Sequence, residues 1–188
     1  MVKHYAIIGG GIIGSAIARE LLLQKMGDVT VFEKEHTLGK HASGRNSGVL
    51  HSGINHEPGS IKSRMCLLGN KKARNYCREH GVFLAECGTL VVARNEAEEK
   101  KLDNLLTKGR TSGVEGLEII YREELLEREP SVVGTKALFS PNGAIVDSIG
   151  FLHAVASEAS NLGAHYIMGA RVESISRNTL ETSQGNYR

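Results

Sequence analysis

At the start of the chain, short runs of consecutive apolar residues alternate with a stretch in which apolar residues recur at helical spacing. Residues 5–8 form a short apolar run that glycines end, which is typical of a buried parallel strand. Residues 12–24 carry Ile, Ala and Leu at helical spacing, and residues 29–32 form a second short apolar run. Strand, glycine turn, helix and strand therefore follow one another within the roughly 30 residues that a βαβ unit requires.

Periodicity disappears between residues 38 and 56, where Gly, Ser, His and Asn dominate. A long segment without secondary structure in a compact domain is usually functional, so we expect a ligand loop here. We also expect one short helical turn at residues 46–49. Helical spacing returns after Ser60, a favourable helix cap, and predicts a helix to about Glu79.

Shorter elements separated by turn signals fill the rest of the chain. The predicted helices cover residues 96–108, 122–128 and 147–162, and the predicted strands cover residues 90–93, 117–121, 137–139, 144–146, 165–168, 171–176 and 179–182. The last strands begin a β-meander where the given sequence stops. We therefore expect the chain to be a fragment of a longer protein.

Composition excludes several classes of function. The 188 residues include no Trp and only 5% aromatic residues, which argues against the stacking surfaces of single-stranded nucleic-acid binding. The net charge of +2 implies no strong polyanionic partner. The first apolar run is too short for a signal peptide or a membrane span, so we expect a cytoplasmic protein. A peripheral membrane contact stays open.

The three cysteines, Cys66, Cys77 and Cys87, form neither an even set nor a CxxC pair. A disulfide framework and a zinc ribbon are therefore not expected, and we interpret the three as free thiols in a reducing compartment. His41, His51 and His56 lie close in sequence, but no carboxylate or cysteine completes a ligand set there. No metal site is expected.

The pattern Gly9-x-Gly11-x-x-Gly14 lies between the first predicted strand and helix. Gly9 permits the tight turn, Gly11 lets the backbone approach a pyrophosphate, and Gly14 allows close packing of helix and strand. Glu33, at the end of the second strand, can accept both ribose hydroxyls of an adenosine and would repel a 2′-phosphate. These features predict a bound dinucleotide and disfavour NADP, while NAD and FAD both remain open.

Small residues, hydroxyls and two histidines are concentrated between His41 and Gly53, in the segment HASGRNSGVLHSG. Such a loop can lie against a large planar cofactor and offer N–H and O–H donors to it. A flexible polar surface loop is the alternative. Arg45 is a candidate for contact with an anion, with a solvent-exposed arginine as the alternative.

Five segments together, GGGIIGSAIARELL, VFEKE, HASGRNSGVLHSGI, EPGSIKSRMCLLG and CGTLVVA, resemble the FAD-dependent D-amino-acid-oxidase-like superfamily. Within it, the chain is most similar to the L-2-hydroxyglutarate dehydrogenase/oxidase group, followed by the glycerol-3-phosphate oxidases. The resemblance covers nearly the whole chain. It implies an α/β fold, α+β overall, with a Rossmann-like FAD-binding domain and part of a mixed-sheet substrate domain. We expect the FAD-binding βαβ unit, ligand loop and helix at residues 1–80, a partial cap domain at 81–145, and a return to the FAD-binding domain at 146–188.

The resemblance also implies roles for matched positions around FAD. The implied contacts are Gly9, Gly11, Ile13 and Gly14 at the pyrophosphate region, Glu33 at the adenosine ribose, Ala42 and Ser43 near the pyrophosphate, Ser47, Gly48 and Val49 near the ribityl chain and isoalloxazine, and Val172 at the adenine edge. His51 would face the flavin on the substrate side, where Ser47 would also contact substrate. A neutral imidazole there could take the hydroxyl proton as hydride leaves for flavin N5. A histidine that only orders the loop or binds a substrate carboxylate is the alternative.

The implied reaction oxidises a small 2-hydroxy acid, similar to L-2-hydroxyglutarate, to the 2-oxo acid, with oxygen or a quinone as electron acceptor. Glycerol 3-phosphate is the alternative substrate, and a small amine or amino acid comes third. A non-catalytic dinucleotide-binding fragment is the rival from another class. Asn55 and His56 replace aromatic residues that are usual in the hydroxyglutarate group, which leaves the identity of the acid open. Because such enzymes continue well past residue 188, we expect the fragment alone to be inactive.

Overall fold

The computed structural model describes residues 2–187, which form twelve strands and five helices. In chain order, these are β1 His4–Ile8, α1 Ile12–Leu23, β2 Asp28–Glu33, β3 Val49–Leu50, α2 Ile61–His80, β4 Leu84–Ala85, β5 Thr89–Ala93, α3 Glu96–Thr111, β6 Glu118–Tyr121, α4 Arg122–Arg128, β7 Lys136–Ser140, β8 Ala144–Val146, α5 Ser148–Asn161, β9 His165–Met168, β10 Val172–Ser176, β11 Thr179–Thr182 and β12 Gly185–Tyr187. They divide into two compact units. The first contains residues up to 47 and from 147 onward, and the second contains residues 48–146.

The first unit is built on a parallel sheet in the order β1–β2–β9. The predicted βαβ unit is confirmed, because β1 and β2 pair in parallel and α1 connects them. Every residue of β2 after Asp28 is buried, as expected of a central parallel strand. A cluster around Ala18, Val31 and Ala159 joins α1, β2 and α5. The predicted meander is confirmed as the antiparallel sheet β10–β11–β12.

Local capping chemistry sets the ends of the longer helices. Ser60 caps α2 by accepting the N–H of Ser63 through its hydroxyl, and Gly81 ends the same helix with a φ of +65°. Asp147 caps α5 through two backbone N–H groups, and the predicted stop, Gly163, has a φ of +110°. The predicted starts of α2 and α5 are therefore confirmed at the level of individual side chains.

The second unit contains two three-stranded antiparallel sheets, β3–β8–β4 and β5–β7–β6. The resemblance implies part of a mixed-sheet substrate domain, and every pairing described in this unit is antiparallel. Its main core is a cluster of Ile54, Ala93, Leu102, Val114, Leu117 and Leu138. The two ends of the unit meet, because the N–H of Val146 donates to the carbonyl oxygen of Gly48 at 2.8 Å.

Some local predictions differ from the structure. The helical turn predicted at residues 46–49 is wrong: the turn lies at residues 41–45, where the N–H groups of Gly44 and Arg45 donate to the carbonyl of His41. Val49 lies in β3, which exists because β8 pairs with it. Residues 48–80 belong to the second compact unit, although we grouped them with the FAD-binding part. The two compact units are defined by contacts within the chain and do not show which residues contact the cofactor. The predicted assignment of residues 1–80 to the FAD-binding part therefore stays a prediction. Within residues 2–187, no helix has both the length and the apolar character needed to cross a membrane.

Candidate dinucleotide-binding site

The turn from β1 into α1 brings two stretches of backbone unusually close together. Gly9 has a φ of +103°, and its N–H donates to the carbonyl of Phe32 at 2.8 Å. A Cβ atom at Gly14 would lie 2.0 Å from the carbonyl oxygen of Gly9 and 3.2 Å from Cγ2 of Ile7. The third glycine of the motif is therefore required for close packing of α1 on β1, as its spacing predicts.

Glu33 ends β2 with a carboxylate that the backbone holds in place. Its side chain is 9% exposed. Oε2 accepts the N–H of Gly10 at 2.8 Å, and Oε1 accepts the N–H of Glu35 at 2.9 Å. Each carboxylate oxygen has two lone pairs, so both oxygens can accept a further hydrogen bond from a ligand hydroxyl.

Ser43 connects the ligand loop to the start of α1. Its Oγ accepts the N–H of Ile12 at 3.0 Å. The N-cap residue of α1 is Gly11, which has no side chain to do this. Ser43 therefore acts as a cap from another part of the sequence. Asn46 stabilises the same turn, because its Nδ2 donates to the carbonyl of Ser43 at 2.9 Å.

A cavity of about 410 Å³ opens beside this turn, inside the first unit. Its walls come from the end of β1, the end of β2, the loop at residues 39–43 and the start of β10. Six of the predicted cofactor contacts line it: Gly9, Gly11, Glu33, Ala42, Ser43 and Val172. Residues far apart in sequence thus meet around one space next to the N-terminus of α1, which favours anions.

The other predicted site residues lie outside this lining. Ile13 is 74% exposed in the first turn of α1, and Ser47 is exposed in the ligand loop. Gly48, with a φ of +69°, and Val49, which pairs with Ile145, belong to the second unit. His51 follows β3 in that same unit with an exposed side chain. Their assigned roles stay predictions.

Basic side chains that the sequence analysis did not assign also line the cavity. They are Lys34, Lys40, His41 and Arg171. Nε2 of His41 lies 2.8 Å from Oε1 of Glu35, and this hydrogen bond lowers the pKa of the Glu35 carboxyl. The charges of Lys34 and Arg171 lower it further. Cations around the cavity suit a phosphate-bearing ligand. The sequence could have indicated these basic residues, because Lys34, His41 and Arg171 are each adjacent to a predicted cofactor contact.

The sequence profile of a family described as "FAD dependent oxidoreductase" matches residues 4–188. Among curated proteins, the mitochondrial L-2-hydroxyglutarate dehydrogenase of Nematostella vectensis is 44% identical over 149 residues, covering 77% of this chain and 32% of that protein. The L-2-hydroxyglutarate dehydrogenase of Escherichia coli O17:K52:H18 is 34% identical over 186 residues, covering 96% of this chain and 44% of that protein.

Among solved structures, the fold is similar to dithionite-reduced L-α-glycerophosphate oxidase from Mycoplasma pneumoniae with FAD bound. The TM-score is 0.85 at 28% identity, covering 96% of this chain and 49% of that chain. The chain thus spans between about a third and a half of the length of these relatives, and it matches their N-terminal part. The predicted family, the fold class and FAD as the family's cofactor are confirmed.

Proposed function

This chain belongs to the FAD-dependent oxidoreductase family, and on that premise we propose that the full-length protein oxidises a small 2-hydroxy acid to the 2-oxo acid. L-2-hydroxyglutarate is the first candidate substrate. The observation that carries the proposal is the 44% identity to a protein named L-2-hydroxyglutarate dehydrogenase, together with 34% identity over nearly the whole chain to a bacterial protein of the same name.

In this proposal the first unit holds FAD. The pyrophosphate would lie at the N-terminus of α1, whose first N–H groups have no partner within the helix. The carboxylate of Glu33, already fixed by two backbone N–H groups, would accept the hydroxyls of the adenosine ribose. Ala42, Ser43 and Val172 line the same cavity and would contact the pyrophosphate and the adenine edge.

FAD, when bound, would supply the hydride acceptor at flavin N5, with oxygen or a quinone as the final electron acceptor. The chain itself must then remove the proton from the substrate hydroxyl. We assign this step to the imidazole of His51, which in its neutral form has one ring nitrogen free to accept a proton. Ser47 and His51 would hold the substrate, and Gly48 and Val49 would contact the flavin side.

A second candidate substrate is glycerol 3-phosphate. It is favoured by the similarity to the glycerophosphate oxidase of Mycoplasma pneumoniae. Both candidates present an oxidisable CH–OH group next to an anionic group, so the same base serves either reaction. The identity over matched residues is lower for this relative than for the two dehydrogenases, which ranks the hydroxy acid first.

Spectroscopy of the purified full-length protein tests the proposal. We expect visible flavin absorption bands and, without oxygen, bleaching of these bands by L-2-hydroxyglutarate but not by its D-enantiomer. Glycerol 3-phosphate and glycine are added in parallel. A protein that lacks flavin bands, or whose flavin no hydroxy acid reduces, would contradict the proposal, while bleaching by glycerol 3-phosphate alone would establish the second candidate.

The role of His51 is tested in the same assay. His51→Ala should lower the rate of flavin reduction by about 100-fold or more, the usual contribution of a general base, with FAD binding unchanged. His153→Ala is the matched control, because His153 is an exposed histidine on α5 in the first unit. Equal reduction rates in the wild type and His51→Ala would remove His51 from the catalytic role.

A further inference from the structure

Helix α2 presents a polar stripe at residues spaced by four, within the second unit. Cys66, Asn70 and Arg74 lie one helical turn apart, on one face of the helix. Asn70 is 7% exposed, and its amide nitrogen serves two backbone acceptors: Nδ2 donates to the carbonyl of His51 at 3.0 Å and to that of Asn142 at 2.8 Å. Both hydrogens of this amide are thereby used.

The other two side chains of the stripe strengthen the same two contacts. Sγ of Cys66 lies 3.5 Å from the carbonyl oxygen of His51. Burial raises the pKa of the Cys66 thiol, so the thiol stays protonated at neutral pH and acts as a weak donor. Nη1 of Arg74 donates to the carbonyl of Asn142 at 3.1 Å, and Arg74 is itself paired with Glu86. Two donors from one helix therefore hold each carbonyl.

The side chain of His51 lacks anchors of this kind. It is exposed, and among the interactions of residues 2–187 its imidazole takes part in no hydrogen bond. Its position is therefore set by the backbone, and the backbone at His51 is held by Asn70 and Cys66. Asn70 is the stronger of the two donors to the carbonyl of His51, because without it only the weak thiol of Cys66 would remain.

We propose that Asn70 is a positioning residue, which holds the backbone of His51 so that its imidazole reaches the substrate hydroxyl. This inference rests on the proposed role of His51 as the base. Proton transfer needs donor and acceptor within hydrogen-bond reach, and a displacement of about 1 Å can lower a rate by about 100-fold. Asn70 thus acts on the reaction through His51 without touching the substrate.

The test compares Asn70→Ala with Asn75→Ala in the full-length protein loaded with FAD. Asn75 lies on the same helix but is exposed, so it provides a matched control. We expect Asn70→Ala to lower the rate of flavin reduction at saturating substrate by about 10- to 100-fold. FAD content and KM should stay within about threefold of the wild type, and Asn75→Ala should match the wild type. An unchanged rate in Asn70→Ala, with flavin retained, would overturn the inference.

A double variant separates positioning from a general effect on the fold. In the His51→Ala background, Asn70→Ala should cause no further loss, because the group that it positions is gone. An equal further loss in that background would show that Asn70 acts elsewhere and would refute the inference while leaving His51 as the base. If His51→Ala alone leaves reduction unchanged, the proposed base and this inference both fail.

Asn70→Asp provides a second probe if the alanine variant does not fold. The carboxylate has nearly the same size as the amide and leaves no cavity, but it has no N–H and would face two carbonyl oxygens. We expect a loss at least as large as for Asn70→Ala, again only when His51 is present. A wild-type reduction rate in Asn70→Asp would refute the inference, because neither hydrogen bond could then exist in the ionised form.

Discussion

Replacing Gly14 by alanine tests the geometry of the dinucleotide turn most directly. The added methyl group would lie 2.0 Å from the carbonyl oxygen of Gly9. Carbon and oxygen atoms in close contact normally stay about 3.3 Å apart, so about 1.3 Å of separation must be created. The obstructing atom belongs to the backbone and cannot rotate away as a side chain would. The first turn of α1 must therefore move away from β1.

Two opposing effects decide how much Gly14→Ala changes the free energy of unfolding. Alanine is a better helix former than glycine by about 1 kcal/mol, which favours the variant. Overpacking by one methyl group costs about 1–3 kcal/mol and sometimes more, and this site is tighter than most. We expect a net loss of about 1–2 kcal/mol in the free energy of unfolding. FAD binding needs the unshifted turn, so the shifted turn must be pushed back on binding, and a cost of about 1–2 kcal/mol for this would raise the Kd for FAD roughly 5- to 30-fold.

Urea unfolding and FAD titration measure the two quantities, with Gly69→Ala as the matched control. Gly69 lies inside α2, where an added Cβ would meet no atom within 4 Å. The control should therefore gain up to about 1 kcal/mol of stability and leave the Kd for FAD unchanged. If Gly14→Ala behaves like Gly69→Ala in both assays, the close approach of α1 to β1 affects neither stability nor FAD binding, and the reasoning is refuted.

Three further predictions concern single polar contacts. Ser43→Ala should lower the free energy of unfolding by about 1 kcal/mol, because the N–H of Ile12 loses its acceptor; a urea midpoint equal to that of the wild type would contradict this. The hydrogen bond with His41 keeps the pKa of Glu35 below its ordinary value of 4.5, so its stabilising effect is present above that pH and is lost as the pH falls through the lower folded-state pKa. His41→Ala should therefore raise the pKa of Glu35, and an NMR titration that finds no rise would refute the assignment. Asp147→Ala should destabilise the protein by about 1 kcal/mol, since two N–H groups at the start of α5 lose their acceptor, and thermal unfolding with no loss would contradict it.

Local signals in the sequence were sufficient for the first βαβ unit and for the helix caps. The apolar run of β1, the glycines of the turn and the acidic end of β2 all lie within one continuous stretch. Ser60 and Asp147 indicate helix starts because their side chains accept hydrogen bonds from N–H groups two or three residues away. Such interactions leave a pattern that a single sequence shows.

Contacts between segments that are distant in sequence leave no comparable pattern from which they could be predicted. Ser43 caps α1 from 31 residues away, and neither residue type nor spacing indicates the pairing. Strand β3 has two residues, too few for a period, and it forms because β8 lies beside it. Asn70 is an ordinary polar residue of a helix until the carbonyls of His51 and Asn142 are brought to it. These parts of the site depend on tertiary structure.

The hydrogen bond between Gly48 and Val146 bears on the order in which the protein folds. Strand β2 pairs with β9, so Thr30 can pair only after His165 has been synthesised, about 7–27 seconds later at about 5–20 residues per second. Once residues 48–146 have folded with their ends tied together, they act as a short bridge rather than a flexible loop of about a hundred residues. By the logarithmic dependence of loop entropy on length, this lowers the cost of closing the parallel sheet by about 1 kcal/mol. A folded second unit would therefore favour the pairing of β2 with β9, because it holds together the two ends of chain that lead to these strands.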